Sequence, residues 1–370
     1  MTKTNTQITE PFSVCFNIMK MKYKDYDESL TMKNIIQEDD KINVFINFEA
    51  VIKNISMVKE LENKLMLQKD FKTIIISNAL NLIGHYKRFF VNNGLDTNVY
   101  LYMTDLESDS FGQCYYNEDY RSYFITKYRN NPRFVYFTDM MRNEIIPELR
   151  MYCDFIPNVY FIASKNIEGS LIPLIIAKED KKRKNVIISG DVYDSQYVLI
   201  DNFISHVFMR SGYGPSVIRS SLDEFLMYFY KKKKGEKLEK ETFELFSNYP
   251  LYCSLLAVMG NKLRSIDDVD GIKAVSLEKL LADGITRQLI NTTTSNPNLI
   301  KEVFPDEEDQ IEFTNNYYCT SFSSMYGELT KTDIKSVLFQ KQDRIDIDSL
   351  KALNTTVFAN HPILLETLLC

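Results

Sequence analysis

The hydrophobic positions along the chain fall into short continuous runs separated by segments with helical spacing. Four runs are apolar and rich in β-branched or aromatic residues, as buried strands are. They are residues 41–48, 97–105, 158–164 and 184–191. Between them, residues 71–95, 141–157 and 167–179 show helical spacing. Strands that alternate with helices predict an α/β fold, with a parallel central sheet flanked by helices on both faces.

The pattern changes at about residue 216, where the strand-like runs stop and helical spacing takes over, as in "YPLYCSLLAVMG" and "SLEKLLADGI". We therefore predict four parts. They are an N-terminal extension (1–41), a sheet-bearing core (42–215), a helical lobe (216–290) and a mostly helical C-terminal segment (291–370).

Composition narrows the class of protein. The 44 basic and 50 acidic residues give a net charge of −6, which argues against a generally basic nucleic-acid coat but allows a local basic groove. The six cysteines are scattered without a C-x-x-C pair, so we expect a reducing compartment and neither a zinc site nor a disulfide framework. No apolar stretch is long enough to span a bilayer, and we expect a cytoplasmic protein.

Polar and acidic residues follow the predicted strands. Asn47 ends the first strand, Asp105 the second and Asp191 the fourth, while Glu168 opens the helix after the third. The carboxyl ends of parallel strands meet at one edge of a sheet, so these side chains are expected to converge there. Mg²⁺ prefers oxygen ligands of this kind. Each acid alone is explained more simply as a cap or turn residue, and only their joint placement indicates a cation site.

Taken in order, several segments resemble the flap-endonuclease-like 5′ nuclease superfamily, which includes the 5′ nuclease domains of bacterial DNA polymerases and phage ribonuclease H-type 5′ exonucleases. The resemblance covers about residues 42–285. It is carried by "VFINFEA", "YLYMTD", "NIEGSLIPLIIA", "IISGDVYDSQYVL" and "VMGNKLRSIDDVDGIKAVSLEKLL". It implies a PIN-like fold, a helix-hairpin-helix lobe within 216–290 and a carboxylate ring that holds the metal ions of phosphodiester hydrolysis.

The chain departs from that family at most of the implied ligand positions. The acids retained as residual metal ligands are Asp105, Glu168 and Asp191. The positions where an implied acid is neutral or basic are Asn47, Ser170, Tyr193, Asn261 and Arg264. On an extended chain, Asp194 is one step out of register and is expected to point elsewhere. We therefore expect at most one weakly bound Mg²⁺ or Mn²⁺ ion, and lost or strongly weakened hydrolysis.

Nucleic-acid binding is predicted from a basic and aromatic segment, residues 116–134. Its basic residues are Arg121, Lys127, Arg129 and Arg133, and they alternate with tyrosines and a phenylalanine, as in proteins that bind single strands. An amphipathic helix with solvated charges explains the same pattern equally well. The family hairpin is matched by Gly271, with Lys273 where a second glycine is favoured. The run "KKKKGEK" at 231–237 is explained more simply as a solvated loop.

Three hypotheses remain open from the sequence. The first is a phage-encoded 5′ nuclease-like protein, catalytically silent, that binds forked, nicked or single-stranded DNA in replication or repair within the host cytoplasm. The second is an active 5′→3′ exonuclease or flap endonuclease with a rearranged metal site, for which the substitute ligands are Glu49, Glu107, Asp109, Asp194 and Asp268. The third is an assembly subunit that uses the fold as a scaffold and binds protein partners through its terminal extensions.

Overall fold

A six-stranded sheet forms the centre of the molecule, with strand order β3-β2-β1-β4-β5-β6. This computed structural model describes residues 40–48, 68–104, 140–164, 167–189, 191–210, 214–219, 249–260, 269 and 304–340. The strands are β1 (Lys41–Asn47), β2 (Asp96–Thr104), β3 (Val159–Ser164), β4 (Lys184–Ser189), β5 (Phe203–Arg210) and β6 (Gly214–Arg219). β1 to β5 run parallel, and β6 is antiparallel to β5.

Helices connect and cover these strands. The α-helices are α1 (Gln68–Val91), α2 (Ile146–Phe155), α3 (Ile172–Glu179), α4 (Tyr249–Met259), α5 (Glu307–Thr320), α6 (Phe322–Gly327) and α7 (Lys331–Leu338). A π-helical turn (Met141–Ile145) leads into α2, a 3-10 turn (Gly169–Leu171) leads into α3, and a 3-10 helix (Val192–Leu199) follows β4. Within the described ranges, no helix has the length and apolar character needed to cross a membrane.

The sheet is buried on both faces because successive side chains of a strand point to opposite sides. On β1, Ile42, Val44 and Ile46 pack with α1 and α2 in one apolar cluster. Phe45 points the other way, into a second cluster built from α3, the 3-10 helix and the helices α4 to α7. The predicted α/β class, a parallel sheet with helices on both faces, is confirmed.

The face of β1 that carries Phe45 also carries two buried amides, Asn43 and Asn47. Asn43 lies in register with Asn98 of β2 and Asn185 of β4. Its Nδ2 donates to Asn185 Oδ1 at 3.0 Å, and Asn98 Nδ2 donates to Asn43 Oδ1 at 3.4 Å. This amide row fixes the relative register of three neighbouring strands, since a slip would leave buried polar groups unpaired.

β5 and β6 are absent from the sequence-based prediction, which ends the strands at β4. β5 interrupts its apolar residues with Ser205, His206 and Arg210, and β6 begins with Gly214 and Pro215, residues that weaken a strand pattern. β6 also runs across residue 215, where the sheet-bearing core is predicted to end. The helix-hairpin-helix lobe and the remaining domain boundaries stay predictions, because most of 216–303 lies outside the described residues.

Gln196 joins the 3-10 helix to the helices of the second cluster. Its side chain has no exposed surface, and Nε2 donates to the carbonyl oxygens of Tyr193 at 2.9 Å and Thr320 at 2.8 Å. Oε1 accepts from Tyr249 Oη at 2.5 Å and from the Phe322 backbone N–H at 2.9 Å. One amide therefore bonds to the 3-10 helix, α4, α5 and α6.

The groups around Gln196 stay protonated at neutral pH. Burial raises the pKa of the Cys253 thiol to about 12, and this thiol lies 3.6 Å from Gln196 Oε1. Burial also raises the pKa of Tyr249 well above its usual range, so its hydroxyl keeps the proton that it donates to Gln196. A buried thiol with a raised pKa is a poor nucleophile, so we assign a structural role to the cluster around Gln196.

We predict that Gln196→Met lowers the free energy of unfolding by roughly 2–5 kcal/mol, because the substitution keeps the volume but leaves several buried partners unpaired. Urea unfolding followed by circular dichroism measures the loss. The matched control is Gln340→Met. Gln340 is only partly buried, accepts from Ala163 N–H at 3.1 Å and donates to Ser336 O at 3.2 Å, so its loss is expected to cost about 1 kcal/mol or less. Equal losses of stability in the two variants would contradict the structural role of Gln196.

Candidate functional site

The candidate site lies at the carboxyl edge of the sheet, between β1 and β4. The strand order reverses at this point, because β2 and β3 lie on one side of β1 while β4 and β5 lie on the other. In open α/β sheets, the crevice outside such a switch point is where ligands bind. The 3-10 helix that follows β4 borders this crevice and carries the acids of the "GDVYDSQ" segment.

The strongest feature of the edge is a contact between Asn47, at the end of β1, and Asp194 on the 3-10 helix. Asn47 Nδ2 donates to Asp194 Oδ2 at 3.2 Å and to Ser189 Oγ at 3.3 Å. Tyr102, on β2, donates its hydroxyl to the same Asp194 Oδ2 at 3.4 Å. Asp194, Tyr102 and Ser189 have no exposed surface, and Asn47 is 7% exposed. One buried carboxylate oxygen thus receives donors from two strands.

The orientation of the Asn47 amide follows from its partners. Asn47 Nδ2 lies within hydrogen-bond distance of two acceptors, Asp194 Oδ2 and Ser189 Oγ, and a carboxyl oxygen that carries no proton can only accept. Asn47 therefore acts here as a donor, whereas a metal ligand at the same position would need to present an oxygen.

Asp191 caps the 3-10 helix. Its Oδ1 accepts from the Tyr193 backbone N–H at 2.9 Å, and its own N–H donates to Ser189 Oγ at 3.0 Å. A capping carboxylate at the first turn satisfies an N–H that the helix itself cannot. Asp191 therefore acts as a helix cap, which is the simpler of the two roles expected for an acid at the end of a strand.

The cap also changes which side chain faces β1. The expectation of an extended chain after Asp191 is wrong, because residues 192–199 form a 3-10 helix. Asp194 therefore points to Asn47, whereas an extended chain would have turned it away. Tyr193 points away from the edge: its ring belongs to the second cluster and its hydroxyl donates to Leu256 O at 3.0 Å.

Glu168 is held beside the end of β2 by its neighbour Gly169. The Gly169 N–H donates to Thr104 Oγ1 at 3.1 Å, and a Cβ on Gly169 would lie 2.6 Å from the Thr104 backbone nitrogen. Only glycine allows so close an approach. Glu168 is half-buried and precedes the 3-10 turn that opens α3. Ser170 is buried behind it, and its carbonyl oxygen accepts from the Tyr197 hydroxyl.

Many of the predicted site residues lie outside the described residues. Asp105 directly follows the last described residue of β2. The others are the ligand positions Asn261 and Arg264, the basic residues Arg121, Lys127, Arg129 and Arg133, the hairpin residues Gly271 and Lys273, and the substitute acids Glu49, Glu107, Asp109 and Asp268. They stay predictions.

The sequence analysis does not identify three residues at the carboxyl edge of the sheet, which are Tyr102, Ser189 and Thr104. Each occupies a core-facing position near the end of a strand, where hydroxyl residues read as ordinary members of an apolar run. The alternation of side chains along the strands could have identified Tyr102, because Tyr102 of β2 is paired with Asn47 of β1 and so lies on the same face of the sheet.

The described residues do not fit a divalent-cation site. No group of three or more His, Cys, Asp or Glu side chains within the described ranges is placed to hold a metal ion. The ends of β1 to β4 carry Asn47, Thr104, Ser164 and Ser189, all neutral. The one buried carboxylate there already accepts hydrogen bonds from protein donors, and such donors compete with a cation for the same oxygen.

No protein-family model and no curated protein matches the chain. The structure is similar to a phage T5 protein co-crystallized with metal ions, with 12% identity and a TM-score of 0.48 over 82% of this chain and 100% of that one. It is also similar to the bacteriophage T5 flap endonuclease in a pseudo-enzyme–product complex with DNA and metal ions (14%, 0.45, 89% and 99%). A third is the T5 5′-exonuclease with bound zinc ions (12%, 0.46, 89% and 100%).

These solved structures belong to the group of proteins that the sequence resembles, the 5′ nucleases.

We predict that Gly169→Ala lowers the free energy of unfolding by roughly 1–3 kcal/mol, because the new methyl group would press on the backbone of β2. Differential scanning calorimetry or urea unfolding measures the change. The matched control is Gly327→Ala at the end of α6, where nothing lies within 4 Å of a new Cβ. That control is expected to be neutral or to stabilise by up to about 1 kcal/mol. A harmless Gly169→Ala would show that α3 is not tightly seated on β2.

Proposed function

We propose that the chain is a 5′ nuclease-like DNA-binding protein, phage-encoded, whose metal-dependent hydrolysis is lost or strongly weakened, and that it acts on branched or single-stranded DNA in replication or repair. The observation that carries the proposal is the hydrogen bond from Asn47 to the buried Asp194. The likeness to a flap endonuclease solved with DNA and the basic segment around Arg129 support the choice of DNA.

The Asn47 contact matters because a cation and a hydrogen-bond donor need the same lone pairs. Two donors, from Asn47 and Tyr102, converge on Asp194 Oδ2. For a divalent ion to reach that oxygen, a buried amide and a buried phenol would both have to move. Their new positions would lose hydrogen bonds inside a packed sheet face, at about 1–3 kcal/mol for each group left unpaired.

The neighbouring strand ends supply little charge to offset that cost. Thr104 Oγ1 accepts from Gly169, and Ser189 Oγ accepts from Asp191 and Asn47. Mg²⁺ gives up its water reluctantly and is usually held by one or two carboxylates together with substrate phosphates. Neutral hydroxyls already engaged by backbone and amide donors are a poor replacement.

Binding and cleavage can be tested together on the full chain. We expect labelled 5′-flap and single-stranded DNA to bind in EDTA, with an affinity that falls steeply with salt, and to remain uncut in Mg²⁺ or Mn²⁺. Arg129→Gln should weaken binding to all sequences alike, while Lys331→Gln, an exposed charge at the start of α7, serves as the control. Metal-dependent cleavage that Asp194→Asn abolishes would overturn the loss of hydrolysis. Absent binding would overturn the DNA assignment and leave the scaffold hypothesis.

A sharper prediction concerns Asn47→Asp. Without metal, this change removes a donor and sets a second carboxylate against Asp194, and we expect the free energy of unfolding to fall by roughly 3–5 kcal/mol. Mn²⁺ or Mg²⁺ should restore much of the loss, because the two carboxylates together suit a cation. Thermal unfolding with and without the metal measures the recovery, and the wild type should show no metal-dependent shift.

The matched control is Asn43→Asp, the same substitution on the same face of β1. Asn43 is fully buried, and its side chain is hydrogen-bonded to the amides of Asn98 and Asn185. It should destabilise the protein without recovery by metal. Wild-type protein that is itself stabilised by Mg²⁺, or equal recovery of both variants, would contradict the proposal.

A further inference from the structure

The turn between α1 and β2 contains a chemically reactive pair that the proposed function does not use. Asn93–Gly94 is the one Asn-Gly pair in the sequence. Both residues are exposed, and Gly94 has a φ of +81° with nothing within 4 Å of an ideal Cβ. Asparagine followed by glycine is the pair most prone to cyclise, because glycine has no side chain to hinder attack by its own backbone nitrogen.

We propose that Asn93–Gly94 is a conformationally gated site of spontaneous deamidation, suppressed by the helix cap and released when the end of α1 opens. In the reaction, Gly94 N bonds to Asn93 Cγ and loses its proton, while Asn93 Nδ2 leaves as ammonia. The resulting succinimide takes up water at either carbonyl, which gives aspartate or isoaspartate at position 93. Water is the only co-reactant.

The native cap opposes the first step through both reacting groups. The Gly94 N–H donates to Val91 O at 2.9 Å, so the attacking nitrogen is committed to the helix. Asn93 Nδ2 donates to Phe89 O at 2.6 Å, which turns the side chain back along α1. Cyclisation requires both bonds to break.

The turn is further locked by the residue that follows it. Leu95 N–H donates to Phe90 O at 3.2 Å, and Leu95 and Phe90 are both buried in the first cluster. The bonds from Gly94 and Leu95 together form a Schellman motif, with its usual hydrophobic contact. The reaction rate should therefore follow the opening of this cap, which can occur without global unfolding.

Neither product can restore the bond from the position-93 side chain to Phe89 O. An aspartate at position 93 has no donor for Phe89 O and adds negative charge at the helix end where negative charge is unfavourable. Isoaspartate also lengthens the backbone by one methylene between α1 and Asp96, where β2 begins. Modification would therefore weaken the closed form of this connection.

Peptide mapping by mass spectrometry, with isoaspartate-specific methyltransferase labelling, tests the gating. The full chain is incubated in mildly alkaline buffer beside a synthetic peptide of residues 89–97. We expect Asn93 in the folded protein to convert more slowly than in the peptide by roughly tenfold or more. Asn92, in the same turn but followed by Asn93, is the internal control and should stay unmodified in both.

The role of the cap is tested by destabilising it with a substitution outside the Asn93–Gly94 pair. Leu95→Ala should accelerate conversion of Asn93 in protein that circular dichroism shows to be folded. If that variant does not fold, urea below the unfolding midpoint should accelerate the wild type in the same way. Conversion of the folded wild type at the peptide's rate would overturn the proposal, and so would a slow rate that neither the variant nor urea changes.

Discussion

A carboxyl group with no exposed surface must find hydrogen-bond partners, bind a cation or stay protonated inside the fold, because an unpaired buried charge is too costly to keep. Asp194 meets that constraint with Asn47 and Tyr102. The carboxylate is delivered by the 3-10 helix after β4, the amide by the end of β1 and the phenol by β2. The contact thus joins the elements that border the crevice, and its two donors engage one of the two oxygens of Asp194.

Buried amide side chains form hydrogen bonds between several of the described elements on this side of the sheet. Asn47 bridges β1 to the 3-10 helix, Asn43 joins β1 to β2 and β4, and Gln196 ties the 3-10 helix to α4, α5 and α6. An amide can donate and accept at once, and its burial costs far less than that of a charge. Amide side chains therefore supply polar links between the elements on this side of the sheet.

Sequence patterning predicts β1 to β4 and the helices between them because apolar periodicity follows directly from burial on both faces. It misses β5 and β6, whose polar and breaker residues disguise them. The pattern also places Asn47, Glu168 and Asp191 at or just after the carboxyl ends of strands, since parallel strands end at the same edge of a sheet. It fails at Asp194 because the direction of that side chain depends on the backbone after Asp191. An N-capping bond from Tyr193 turns an expected extended chain into a 3-10 helix. Periodicity alone does not encode such a local hydrogen bond.

A metal-dependent nuclease uses one set of acids, with their bound cations, both to bind DNA and to cleave it. A ring of bare carboxylates repels the phosphate backbone, so it needs cations both to approach DNA and to cleave it. The described strand ends here are neutral, and the Asp194 oxygen is already engaged by donors of the protein. Under the proposed function, a phosphate meets less repulsion at such an edge than at a ring of bare carboxylates when no ion is present, and the edge activates no water to attack it. The proposed loss of the carboxylate ring is therefore compatible with DNA binding, and on that proposal binding depends less on divalent ions.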